Sequence, residues 1–298
     1  MFKHNSLATL ASQLPFWIQL TRQDRPIGWL VLLWPTWIAL IYAGELTHHQ
    51  PALWVIFTLG VIVMRSAGCI VNDYADREFD RHVKRTIHRP LTSGALSIRE
   101  AGYLLSALLA IAVILVLFTN LKTMGLAILA LGSAVLYPFL KRMTFWPQLG
   151  LGIAFSMAIP MAFTAHDAPF NATMWWLIAA NLAWTLVYDT FYAMVDRDDD
   201  LMIGVKSTAI AFGSFDLMAI GLAQMVALGC FAAMMWTMSA GFTAYLGLLG
   251  GALMMIRHQI MAHDRSREGC FRAFLDNHRF GALVCVAIAF DVLIHRIT

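Results

Sequence analysis

Residues 52–71 read ALWVIFTLGVIVMRSAGCIV, and residues 72–80 read NDYADREFD. The first stretch carries a single charge, Arg65, and about twenty apolar residues are what a helix needs to cross a bilayer. The second opens on Asn72 and sets Asp73, Asp76, Glu78 and Asp80 directly against that span. A charge at the centre of a lipid-facing helix costs about 2.5–3.5 kcal/mol even on mild insertion scales, so carboxylates joined to a span need partners. A divalent cation is the simplest one.

The rest of the chain has the same character. Of 298 residues, 59% are hydrophobic and 13% charged, and the mean hydropathy is +0.67. Soluble domains run at roughly 45–50% apolar and 25% charged, so the expectation is an all-α integral membrane protein, one domain over residues 1–298. The net charge of +3 is too small for a nucleic-acid footprint, and nothing points to an obligate protein partner. Cys69, Cys230, Cys270 and Cys285 lack paired spacing and read as free core residues. Residues 1–26 hold Lys3, an apolar run to Leu20, then Arg22 and Arg25, without a small-residue cleavage pattern. They read as a cytoplasmic segment lying at the interface.

Nine spans are expected, at 27–43, 52–71, 100–119, 121–138, 147–165, 173–193, 214–236, 241–261 and 279–296. Short cytoplasmic loops retain Lys and Arg, which places the N-terminus inside and the C-terminus outside. On that topology only Lys122 and Arg296, 2 of 21 basic residues, fall on the far side. Fifteen of 18 acids share the cytoplasmic side, Glu45, Asp167 and Asp291 being the exceptions. Positive-inside sorting does not select acids, so their clustering points to a cytoplasm-facing active site.

Two acidic stripes carry the chemistry. Asn72, Asp76 and Asp80 stand at i, i+4 and i+8, on one helical face, with Asp73 turned away. Exactly 120 residues separate Asp76 from Asp196 and Asp80 from Asp200, a hint of an internal repeat. In this second motif Asp189, Asp196 and Asp200 share a face at spacings of 7 and 4, and Asp198 and Asp199 point elsewhere. Oxygen ligands without His or Cys suit Mg²⁺, which is usually held by one or two carboxylates, water and substrate phosphates. Two facing stripes would therefore clamp a diphosphate, completed by bases drawn from Arg65, Lys84, Arg85, Arg89, Lys141, Arg142 and Lys206. Arg65 is the most pointed of these, because it sits inside a span. Tyr74, Tyr188 and Tyr192 stand beside the acids and could steady a carbocation through their ring faces. His88, His166, His258 and His263 show no ligand spacing and read as loop residues.

Five further runs fit the same picture: Arg85-Thr86-x-x-Arg89-Pro90-Leu91, Asp24-Arg25-Pro26-Ile27-Gly28, Tyr137-Pro138-Phe139-x-Lys141-Arg142, Tyr188-Asp189-Thr190-x-Tyr192-Ala193-Met194-Val195-Asp196-Arg197-Asp198-Asp199-Asp200, and Ile203-Gly204-x-Lys206-Ser207-Thr208-Ala209. With Asn72 to Asp80, they make the chain resemble the UbiA-type intramembrane prenyltransferases over about residues 24–280. The resemblance implies nine transmembrane helices around a central cavity, capped by cytoplasmic helical loops. It implies Mg²⁺ held at Asn72, Asp76, Asp80, Asp189, Asp196 and Asp200 around a polyprenyl diphosphate, with Asp76, Asp196, Arg65 and Arg142 catalytic. Lys206, Arg85 and Lys141 would bind the metal-diphosphate unit; Arg65, Arg142 and Lys206 would touch either the diphosphate or an aromatic carboxylate. The acceptor implied is 4-hydroxybenzoate, on the route to ubiquinone in a bacterial inner membrane, with a naphthoate or a tetrapyrrole as alternatives. A cation or phosphate transporter is the reading from another class, since intramembrane acids also mark ion pathways.

Overall fold

The computed structural model describes residues 7–297, so Lys3 lies outside the described residues. Thirteen α-helices follow one another: α1 Leu7–Leu20, α2 Ile27–Leu46, α3 Pro51–Asp80, α4 Pro90–Ser93, α5 Ile98–Leu117, α6 Leu121–Met143, α7 Pro147–Ser156, α8 Ala158–Ala165, α9 Ala172–Ile203, α10 Thr208–Phe212, α11 Asp216–Thr237, α12 Phe242–Met261 and α13 Arg267–Ile297. No strand occurs among the described residues. Starts are marked locally. Proline stands at the first turn of α3, α4 and α7, where its missing N–H costs nothing, and Ser97 and Glu100 form a reciprocal cap on α5.

Seven helical segments among the described residues are long and apolar enough to cross a membrane. They are α2, α3, α5, α6, the α7–α8 pair, the α10–α11 stretch and α13. Helices α9 and α12 cover the other two expected spans but are more polar. In α9 the polar residues sit inward: Asn181 donates to Ser156 at 2.9 Å, and the Trp184 indole donates to Asn277 at 3.0 Å. Interhelical bonds of this kind hold helices together where lipid gives no hydrophobic drive.

Small residues do the same by close approach. A β-carbon at Gly247 or Gly251 of α12 would collide with Ala287 or Phe280 of α13, so those two backbones can pack tightly. The core is the buried set around Trp184, Tyr188, Phe163, Phe231 and Phe280. Side chains of α5 and α6 are mostly exposed or half-buried, Leu117, Leu121 and Ile128 among the exposed ones.

At the end of the bundle away from the acidic motifs, the few charges are met by ion pairs or hydrogen bonds. Arg296 bonds Glu45, Lys122 lies 3.6 Å from Asp167, and Asp291 accepts from Thr243 and the Gly241 N–H. Two histidines expected in loops are instead part of the packed body. His258 is fully buried within α12, 3.2 Å from Asp276, and His166 is buried in the turn that caps α8, its Nδ1 3.0 Å from the Ala162 carbonyl. All four cysteines are free and buried.

Candidate active site

Helices α3 and α9, of 30 and 32 residues, both outrun a membrane crossing, and their last turns carry the two acidic motifs. Those turns face one another across a polar cavity of about 120 Å³. Asn72, Asp76, Asp80, Asp189, Asp196 and Asp200 all line it. Arg85 and Arg89 reach it from the segment between α3 and α4, Lys141 from the end of α6, and Lys206 from the α9–α10 connection. Gly204, left-handed at φ +73, ends α9 with its N–H on the Asp200 carbonyl. The chain then turns so that the Lys206 N–H meets the Lys141 carbonyl at 3.0 Å, which holds the two lysine-bearing segments together.

The acids are met by bases. Arg85 forks onto Asp196, Nε to Oδ1 at 2.9 Å and Nη2 to Oδ2 at 2.5 Å, with its guanidinium 4.7 Å over the Tyr192 ring. Lys141 donates to Asp76 Oδ2. Arg89 bonds Asp73 and Asp80 at once, at 2.9 and 2.8 Å. Burial opposes charge on Arg85, but Tyr192 and the Asp196 and Asp80 carboxylates outweigh it and raise the guanidinium above its ordinary range. Arg89 is raised likewise, burial being outweighed by Asp73 and Asp80.

Coordination capacity is left over. Asp76 Oδ1 is buried without a hydrogen-bond partner, and no hydrogen bond or ion pair reaches the side chains of Asn72, Asp189 or Asp200 among the described residues. No three His, Cys, Asp or Glu side chains there stand close enough to form a complete cage. That suits Mg²⁺, which seldom occupies an all-protein cage and draws ligands from water and phosphate. An incomplete oxygen set with an orphaned carboxylate atom therefore fits a divalent ion that arrives with a substrate.

Three expected bases stand outside this cavity, the first of them Lys84, which is exposed. Arg142 is exposed, donates to the Ala75 carbonyl at 2.5 Å and lies over Phe79 and Phe139, because one residue along a helix turns it about 100° from inward-facing Lys141. Arg65 lines a second, apolar cavity of about 590 Å³ bounded by α3, α5, α6, α7 and α8. Its guanidinium lies 5.5 Å from the Phe155 ring, and its Nε is buried without a partner. Tyr137 belongs to the walls of both cavities and joins them.

The aromatic expectations divide. Tyr192 faces the polar cavity, Tyr188 is buried with its hydroxyl on Thr185, and Tyr74 points away at 59% exposure. Sequence reasoning missed the anchoring acids. Asp73, fully buried, holds Arg22 as well as Arg89, and Asp199 takes Arg267 at 2.8 Å. Their one available signal was a position off each stripe.

The UbiA prenyltransferase family model matches residues 32–284. This chain belongs to that family. Among relatives of this UbiA-family chain, the 4-hydroxybenzoate octaprenyltransferase of Sodalis glossinidius is 50% identical over 277 residues, covering 93% of this chain and 95% of the relative. Among solved structures, the apo form of a UbiA homolog from Aeropyrum pernix K1 superposes with a TM-score of 0.76 at 25% identity, covering 90% of this chain and 98% of the homolog. A UbiA homolog from Archaeoglobus fulgidus, bound to GPP and Mg²⁺, shares the fold at a TM-score of 0.65 and 17% identity, over 92% and 99% of the two chains.

Proposed function

We propose that this UbiA-family enzyme transfers a polyprenyl group from polyprenyl diphosphate to the 3-position of 4-hydroxybenzoate, a membrane step of ubiquinone biosynthesis. The observation that carries the reaction is the junction at Tyr137, where a polar cavity lined by acids and bases opens beside an apolar cavity of about 590 Å³. A polyprenyl diphosphate has those two chemical halves. The acceptor rests on the relatives, which at about half identity over almost the whole chain are named for 4-hydroxybenzoate.

Asn72, Asp76, Asp80, Asp189, Asp196 and Asp200 hold Mg²⁺ in this reading. An ion held there would supply neutralising charge to the diphosphate. Arg85, Arg89, Lys141 and Lys206 supply fixed positive charge around the same group, and preorganised charge in a site shielded from water stabilises the leaving group strongly. The bond from the first prenyl carbon to the diphosphate oxygen breaks, leaving an allylic cation beside Tyr137, since an aromatic ring face favours cations and that of Tyr192 is taken by Arg85. The ring carbon ortho to the acceptor hydroxyl attacks, a carbon–carbon bond forms and the ring proton leaves. The apolar walls keep water from the cation.

Arg65 is assigned to the acceptor. The polar cavity already holds four bases, whereas Arg65 stands two helical turns before Asn72 at the edge of the apolar cavity, with no hydrogen bond or ion pair on its guanidinium among the described residues and the Asp189 carboxylate acting on it only at longer range. The carboxylate of 4-hydroxybenzoate is the second anion the reaction brings. Arg142, outside both cavities, is assigned no contact with either substrate.

The proposed topology has nine spans, with α9 and α12 crossing beside the seven more apolar segments. It places the N-terminus and the active site on the cytoplasmic face of a bacterial inner membrane and the C-terminus opposite, as the basic residues imply. The reading is tested by following prenyl transfer with 4-hydroxybenzoate, a naphthoate and a tetrapyrrole as competing acceptors. Transfer confined to 4-hydroxybenzoate supports it, and preference for another acceptor overturns it.

A further inference from the structure

Gly28 lies in the first turn of α2, against Arg65 on α3. A β-carbon built at residue 28 would stand 2.7 Å from Arg65 Nε, 3.2 Å from Nη2 and 3.3 Å from Cζ. A carbon and a nitrogen are at optimal separation nearer 3.5–4.0 Å, so any side chain here must displace the guanidinium. Helix α2 has no freedom to yield. Around this turn it carries buried Ile27, Val31 and Leu32 in the main core. The arginine head is the part that can move, since no hydrogen bond or ion pair fixes it, and Phe155 is the aromatic ring against it.

We propose that Gly28 is a positioning residue: its missing side chain leaves the space in which the Arg65 guanidinium is aimed at the acceptor's carboxylate. The inference rests on the assignment of Arg65 to that carboxylate. A bidentate guanidinium–carboxylate contact depends on direction as well as distance, so a turned guanidinium loses the contact while keeping its charge. Gly28 thereby acts on acceptor recognition, and because it meets only the end of the Arg65 side chain, the carboxylates two turns further along α3 keep their places.

The test uses full-length protein in detergent or vesicles and titrates each substrate separately. For Gly28→Ala, KM for 4-hydroxybenzoate rises about tenfold, the size of one lost charged hydrogen bond, while KM for the polyprenyl diphosphate stays within about twofold. The preference for 4-hydroxybenzoate over phenol, which lacks the carboxylate, falls by the same factor. That ratio is insensitive to how much of the variant is folded. In an Arg65→Ala background, adding Gly28→Ala changes neither KM further. Equal losses for both substrates, an unchanged phenol ratio, or additive losses in the double variant overturn the inference. Should Gly28→Ala not fold, it is placed on Arg65→Ala: recovery of folded protein supports the contact, and continued failure assigns Gly28 to packing alone and overturns the inference. If Arg65→Ala leaves the acceptor KM unchanged, the assignment of Arg65 fails. If Arg65→Ala raises it and Gly28→Ala does not, only the role of Gly28 fails.

Discussion

The Arg89 guanidinium donates to Asp80 on the cavity wall at 2.8 Å and to Asp73 behind it at 2.9 Å, so one side chain ties a substrate-facing carboxylate to a structural one. Asp73 in turn accepts both contacts from Arg22, whose backbone is left-handed at φ +58, a conformation that persists in a non-glycine residue only where its surroundings impose it.

The two carboxylates should separate experimentally. Asp73→Ala leaves Arg22 without its partner and Arg89 with Asp80 alone, and lowers the thermal midpoint in detergent. Asp80→Ala keeps the Arg89–Asp73 pair, so its thermal midpoint falls less while transfer at low Mg²⁺ drops severely. Melting curves and Mg²⁺ titrations of both variants check this.

Removing Arg85 strips one charged fork from the cavity. Arg85→Ala is expected to raise KM for the polyprenyl diphosphate by about 10- to 100-fold, the range of a charged hydrogen bond, with a much smaller effect on KM for 4-hydroxybenzoate. Since the guanidiniums of Arg85 and Arg89 are held above their ordinary range, their charge survives alkaline assay. Donor KM should therefore not rise between pH 7 and 9 through loss of charge on either arginine.

Tyr137 stands in the wall that the two cavities share, so Tyr137→Phe should keep most transfer while Tyr137→Ala widens the site and admits water. Inorganic diphosphate released without acceptor then rises relative to prenylated product. A coupled diphosphate assay run with and without 4-hydroxybenzoate measures that ratio.

The membrane orientation has its own check. A reporter phosphatase fused after Thr298 should be active and a fluorescent protein at the same place dark, the reverse holding for fusions placed between Asp264 and Ser266.

The acidic stripes were legible in the sequence because helical periodicity is local: spacings of 4 and 7 put Asp76 with Asp80, and Asp189 with Asp196, whatever surrounds them. What those side chains meet was not. Which base pairs with which acid depends on how the segment after Asp80 folds back, and neither the Arg85–Asp196 nor the Arg89–Asp80 contact has a spacing that announces it. Arg142 was expected beside the substrate from its charge and from the resemblance, and its helical phase relative to Lys141 turns it outward. The contact of Gly28 with Arg65 joins two helices, and no pattern within either one carries it.

The most direct measurement is prenyl transfer by the purified protein in vesicles, with 4-hydroxybenzoate and a polyprenyl diphosphate, for wild type and Asp76→Ala, with the divalent ion chelated and then restored as Mg²⁺. The proposed activity predicts a 3-polyprenyl-4-hydroxybenzoate product that vanishes on chelation, returns with Mg²⁺ and falls by orders of magnitude in the variant. Full transfer in the presence of chelator, or an Asp76→Ala variant as active as wild type, would contradict it.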